Sequence, residues 1–222
     1  MMDIDFTELT AYQRYKLMAS LIVPRPIALV TTLGPTGVAN AAPFSMFNML
    51  GEDPPIVMLS INRVHDGRVK DTAANILATG EFVVHLCDEA MAQQMHACGE
   101  ALPPEVSELD RFGLHALPSH RVAPPRIAEA PVAFECVLHE KLETASRYIF
   151  IGRVLWLSAR DGLVDREQWR VRLQDYHPVA RFGASFYITT RERFALGDSS
   201  TKADADNKTL GGGAHSTAID EM

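Results

Sequence analysis

The chain has 222 residues, 47% hydrophobic and 22% charged, which suits one domain with a real core, with or without extensions. Its formal net charge of −7 argues against a general nucleic-acid binder, which needs a basic face, but leaves room for a small basic pocket around a phosphate. Three scattered cysteines, Cys87, Cys98 and Cys136, make neither a disulfide framework nor a metal-ligand spacing.

Residues 7–20 read as a short helix with Leu9, Tyr12 and Leu17 toward the body, broken by Pro24-Arg25-Pro26. Ile27 to Leu33 is apolar and β-branched, hence a strand. Gly34-Pro35-Thr36-Gly37 is turn chemistry and leads into a second strand from Asn40 to Phe44, so the two make a hairpin. Asp53-Pro54-Pro55 is a turn before the strand Ile56 to Ile61. A helix follows to about Thr79, with Asp71 as its N-cap and Gly80 ending it. Phe82 to Cys87 is a strand, and Glu89 to Cys98 a second short helix.

Residues 99–130 hold Pro103-Pro104 and Pro124-Pro125 and read as a long irregular insertion between strands. Such insertions are often functional or lie at interfaces. Val132, Phe134, Cys136 and Leu138 alternate with Ala133, Glu135 and His139, a strand with one face buried. Tyr148 to Leu157 is apolar on both faces and reads as a central strand. Asp161-Gly162 is a hairpin turn, and Phe186 to Ile188 a last short strand. The domain spans 1–196. The tail, 197–222, has almost no large apolar residues and is expected to be disordered or an arm on a partner. Short, evenly spaced strands with few helices predict a mainly β fold, a closed antiparallel barrel.

The start, Met1 to Asp5, lacks a basic region and an apolar run. No stretch approaches the roughly 20 apolar residues that span a membrane, so a cytoplasmic protein is expected. No Gly-x-Ser-x-Gly, His-Glu-x-x-His, P-loop or dinucleotide fingerprint is present. Redox chemistry is still open if a cofactor supplies it.

Three segments stand out together: Pro24 to Thr32 followed by Asn40-Ala41-Ala42-Pro43-Phe44-Ser45-Met46-Phe47-Asn48; Asp53-Pro54-Pro55 with its strand ending Ser60-Ile61; and Lys70-Asp71-Thr72-Ala73-Ala74-Asn75-Ile76. In this order, with Thr79 to Val84, Pro124 to Glu129, Phe150-Ile151-Gly152 and Pro178 to Gly183, the chain resembles the flavin reductase-like family, whose fold is the FMN-binding split barrel. The resemblance covers roughly residues 20–190 and extends to flavoredoxin-like proteins.

That resemblance implies FMN as cofactor, NADH or NADPH as electron donor, and hydride transfer from nicotinamide to flavin. Reduced flavin would then serve a monooxygenase partner; the alternatives are a flavoredoxin-like electron-transfer protein and a flavin-binding protein without reductase activity. A homodimer is expected on the same ground. Asn40, Ala41 and Ala42 are small or amide-bearing, so their backbone can approach the ring edge, while Thr31, Thr32 and Ser45 offer hydroxyls to the ribityl–phosphate side. Lys70-Asp71-Thr72 at a helix start is an anion site, with Ser60 and Arg63 beside it and Arg63 as a second phosphate cation. Arg147 is the nicotinamide-side candidate, where relatives often carry histidine. Arg181 meets the flavin or the dimer partner.

Read alone, Lys70 is also a solvated lysine on a capped surface helix, Arg63 a surface-loop arginine, Arg147 a barrel-rim arginine and Arg181 a member of an ordinary structural salt bridge. His96 and Cys98 do not share a helix face and read as no site.

Overall fold

The computed structural model describes residues 1–63, 67–183 and 185–194. The expected tail at 197–222 lies outside them. In chain order the elements are α1 (Ala11–Leu21), β1 (Arg25–Pro26), β2 (Ala28–Leu33), β3 (Ala39–Phe44), β4 (Phe47–Glu52), β5 (Pro55–Asn62), α2 (Asp71–Thr79) and β6 (Glu81–Leu86). A 3-10 turn at Glu89–Met91 leads into α3 (Ala92–Ala97), then α4 (Glu108–Phe112), β7 (Ala116–Leu117), β8 (Arg126–Ile127), β9 (Val132–Glu143) and β10 (Arg147–Ala159). The last elements are β11 (Val164–Asp165), β12 (Arg170–Val171), a second 3-10 turn, β13 (Ala180–Phe182) and β14 (Phe186–Ile188).

Seven strands form one antiparallel sheet in the order β3-β2-β6-β9-β10-β5-β4. The fold is mainly β with few helices, as expected. The closed barrel is not: among the described residues no ladder joins β3 to β4, so the barrel is split there. A second, three-stranded sheet has the order β1-β13-β14. None of the described helices is long and apolar enough to cross a membrane.

The β2–β3 hairpin forms as read, with Thr32 opposite Asn40 and Ala28 opposite Phe44. Several elements differ. Helix α1 starts at Ala11 because Thr10 and Gln13 form a capping box, and Tyr12 is 69% exposed, with Ala19 the buried residue instead. Lys70, not Asp71, is the N-cap of α2, and it makes no side-chain cap bond. Strand β4 was not foreseen, since Phe47-Asn48-Met49-Leu50 lacks period two; it pairs with β5 around the expected Asp53–Pro54 turn. The Asp161–Gly162 turn forms no hairpin with β10, because β11 pairs with β12.

The inner face of the sheet is apolar: Val30, Leu59, Phe82, Val84 and Phe150 pack in one cluster. Gly152 lies against this cluster because a Cβ there would sit 2.3 Å from Phe82 Cζ. The outer face of β2, β6 and β9 is covered by the 99–130 segment, which is why Leu29, Cys87, Leu109 and Ile127 form a second cluster. The expected solvent face of β9 is therefore buried at Ala133 and Glu135, while His139 is exposed as expected. Glu135 has no exposed surface, and its carboxylate accepts backbone N–H bonds from His120 at 2.9 Å and Arg121 at 2.6 Å. Arg126 Nε lies 3.7 Å away.

His85 pins the same segment. Its Nδ1 sits 2.9 Å from the Leu29 carbonyl and its Nε2 accepts from Ile127 N–H at 3.0 Å. Both ring nitrogens are thus used by one neutral tautomer. Burial pushes its pKa from 6.5 down to about 4. A depressed histidine pKa gives stability that is complete above pH 6.5 and lost as pH falls through 4, by up to about 3 kcal/mol. The urea midpoint should therefore drop between pH 7 and pH 4.5, and His85→Gln should flatten that slope. An equal slope in wild type and variant contradicts the assignment.

Candidate functional site

The hairpin places the Asn40–Ser45 segment on an edge strand, and alternation splits its side chains between two sides. Asn40 Nδ2 donates to Thr72 Oγ1 at 2.9 Å, tying β3 to the first turn of α2. Thr32 and Asn75 complete this knot, with Asn75 Nδ2 donating to Thr32 Oγ1 at 3.0 Å. Thr32, Thr72 and Asn75 are all buried. The first N–H groups of α2 have no intrahelical acceptor, and the N-cap residue, Lys70, makes no side-chain cap bond to them. The helix start is thus oriented by a buried network, and a helix N-terminus of this kind favours an anion.

Lys70 stands at that start, its Nζ 5.9 Å from the centre of the Phe44 ring. Burial, and then the neighbouring Arg147 charge, hold its pKa below the usual lysine value. Burial likewise lowers Arg147, whose Nη1 donates to the Ser60 carbonyl at 3.4 Å. Among the described residues neither cation has a carboxylate ion-pair partner. The helix start thus carries two partly buried like charges, Lys70 and Arg147, near one another.

On the other side of Phe44 lies a cleft of about 590 Å³. It is lined by Pro43, Phe44 and Ser45, by Tyr12, Tyr15 and Lys16 of α1, and by Arg25, Arg181, Tyr187 and His96. Arg25 Nε donates to Ser45 Oγ at 3.4 Å. Its Nη1 donates to the carbonyls of Ala19 and Ile22, closing the end of α1. Phe44 joins the two regions, since it faces both Lys70 and the cleft.

The structure therefore gathers Asn40, Thr72, Lys70, Asp71 and Arg147 at one pole and Ser45 and Arg181 in the cleft. Thr31 does not belong to either: it is fully buried on the outer face, and its hydroxyl donates to the Pro125 carbonyl at 2.5 Å. Ala41 is fully buried too, with its N–H held by Glu108 Oε2 at 2.9 Å. Because Ala41 N–H points away from β2, the amides of Asn40 and Ala42 point toward it, so the three do not present a row of free donors. Arg63 is paired with Glu143 and packs 4.4 Å from the Tyr148 ring centre; it is Arg147 whose charge bears on Lys70. Sequence reading missed Arg25, Tyr187 and His96 as site residues. Only Arg25 carried a signal, within Pro24-Arg25-Pro26.

A split antiparallel barrel with a cationic helix start beside an aromatic cleft defines a flavoprotein of the split-barrel class. The chain belongs to the family described as flavin reductase like domain, which it matches over residues 18–177. Among solved structures, it is similar to the 2-nitrobenzoate 2-nitroreductase NbaA of Pseudomonas fluorescens, at 36% identity over 90% of this chain and 98% of that one, TM-score 0.81. It is likewise similar to nitrilotriacetate monooxygenase component B of Bacillus cereus, at 33% identity over 88% and 98%, TM-score 0.83. A flavin reductase with split barrel domain from Shewanella frigidimarina, at 22% identity over 86% and 95%, TM-score 0.74, shares the fold.

Proposed function

We propose that the protein binds FMN and acts as an NAD(P)H-dependent flavin reductase. The observation that carries this reading is the α2 start, where the N-cap Lys70 makes no side-chain cap bond and feels the charge of Arg147. The phosphate meets Lys70, Arg147 and the first amides of α2, with Thr72 and Ser60 beside it. Asn40 fixes the helix start, and Phe44 separates the phosphate from the cleft where the ring system enters past Ser45. Bound FMN supplies the redox chemistry, taking up a hydride equivalent and passing electrons on. The protein's own part is positioning: holding two planar groups at contact distance in a walled cleft provides much of the rate.

NADH or NADPH is the proposed donor, and a monooxygenase the proposed recipient of reduced flavin, supported by the likeness to a protein named as a monooxygenase component. Exposed apolar side chains on α1, β4 and β14, among them Leu21, Met49 and Phe186, support a homodimer; a single-chain mass in solution contradicts it. A second reading, direct reduction of an organic acid, is favoured by the Arg25–Arg181 pair in the cleft and by the relative named for reducing 2-nitrobenzoate.

Anaerobic addition of NADH or NADPH to the FMN-loaded protein should bleach the flavin absorbance, and added free FMN should be turned over catalytically. Bleaching by a protein donor alone rejects the reductase and leaves an electron carrier.

A further inference from the structure

Strand alternation on β14 turns Phe186 out to solvent and leaves Tyr187 half-buried, lining the cleft. The Tyr187 hydroxyl is hydrogen-bonded to His96 Nδ1 at 2.8 Å, and the two rings meet edge-on. The Arg181 guanidinium lies over the same phenol ring, 4.7 Å from its centre. The phenol is therefore fixed both at its hydroxyl and at its face. His96 comes from the last turn of α3 and is itself exposed. One hydrogen bond thus joins a hydroxyl in the cleft to an imidazole that solvent reaches.

Tyr12 and Tyr15 of α1 also line the cleft, but both are exposed. Among the described residues, neither of their hydroxyls is hydrogen-bonded to a histidine or a carboxylate. Of the three cleft tyrosines, Tyr187 alone has a group behind it that can replace a lost proton. A tether between β14 and α3 is the plainer use of the same bond.

We propose that Tyr187 donates a proton to substrate in this cleft, with His96 as the relay that restores it, and that the substrate is a flat α,β-unsaturated carbonyl compound. The rings of Tyr15, Phe44 and Tyr187 that line the space suit a flat conjugated guest by offset or edge contacts. Hydride arriving at the β-carbon of such a compound pushes the C=C electron pair toward the carbonyl oxygen. One proton then completes the reduction. The Tyr187 O–H bond breaks, its electron pair stays on the phenol oxygen, and the proton joins the α-carbon. His96 returns a proton to Tyr187 and takes one from solvent. The substrate gains two electrons, drawn with the hydride from reduced FMN, which is oxidised. This rests on the FMN binding proposed above, but not on NADH or NADPH as the donor.

The test mixes FMN-loaded protein, reduced anaerobically with stoichiometric dithionite, with cinnamaldehyde. Flavin absorbance should return as 3-phenylpropanal forms. Tyr187→Phe keeps the ring and should slow the maximal rate about a hundredfold or more, the range of a positioned acid, with half-saturation shifted less than about threefold. His96→Gln keeps the phenol and should slow the rate about tenfold. A second readout needs neither turnover nor flavin. 4-Nitrophenolate, a flat oxyanion like the enolate, should bind about tenfold less tightly to Tyr187→Phe than to wild type, as its yellow absorbance reports. No return of flavin absorbance, or equal rates in wild type and Tyr187→Phe, overturns the proposal. Equal nitrophenolate affinity in the two proteins also overturns it and leaves the bond as a tether. Protein that retains no FMN rejects the flavin reading and the reduction with it, while nitrophenolate binding still decides whether Tyr187 is the donor in the cleft.

Discussion

Lys70→Ala should bind FMN about ten- to a hundredfold more weakly while folding as well as the wild type. A charge-assisted contact to a phosphate contributes about 1.5–3 kcal/mol, and each 1.4 kcal/mol is a factor of ten. The fold is spared because Lys70 is costly to the free protein. Burial and Arg147 both disfavour its charged form, so at neutral pH the folded state holds a cation it would rather not hold. Removing it relieves that cost, and the thermal midpoint of the free protein should stay level or rise. A purely structural lysine gives the opposite pair of results: unchanged FMN affinity and a lower midpoint. Binding is measured by quenching of flavin fluorescence and the midpoint by circular dichroism.

Glu135→Ala should be the most damaging single change to stability, at about 3–5 kcal/mol. The carboxylate is completely buried and is the acceptor for His120 N–H and Arg121 N–H, with Arg126 beside it. Alanine leaves those two N–H donors without their acceptor and Arg126, still bonded to the Pro118 carbonyl and Ser158 Oγ, without its carboxylate neighbour, and leaves a cavity as well. For a chain of this length the thermal midpoint should fall by roughly 10 °C. Glu135→Gln keeps an acceptor oxygen in place and should lose less than half as much. Equal losses in the two variants contradict the assigned role, since then only packing would matter.

The β2–β3 hairpin, β5, α2 with its Gly80 end and β14 were legible because local chemistry specifies them: β-branched runs, turn residues, and a left-handed glycine at φ 71. What the sequence hid is what a second layer decides. Glu135 and His85 look like solvent-side positions of their strands until the 99–130 segment covers them and supplies backbone partners. Thr31 reads as a hydroxyl next to the motif, but strand alternation points it at that same segment. The phosphate pole was half legible, since Lys70-Asp71-Thr72 is contiguous. Its second cation is Arg147, brought alongside by the β5–β10 pairing that sets Arg147 opposite Asn62. Arg181 and β14 were legible one by one, but the placing of Arg25 opposite Arg181 and of Arg181 opposite Tyr187 was not. That placing exists only once β1, β13 and β14 pair, and no local pattern announces a strand of two residues.

The central claim is that this barrel holds a flavin by its phosphate at the α2 start. The most direct measurement is the affinity of the protein for FMN against riboflavin, which carries the same ring and ribityl chain without the phosphate. FMN should bind at least a hundredfold more tightly, with a preference that shrinks as salt rises. Equal affinity for the two, or no binding of either, contradicts the account.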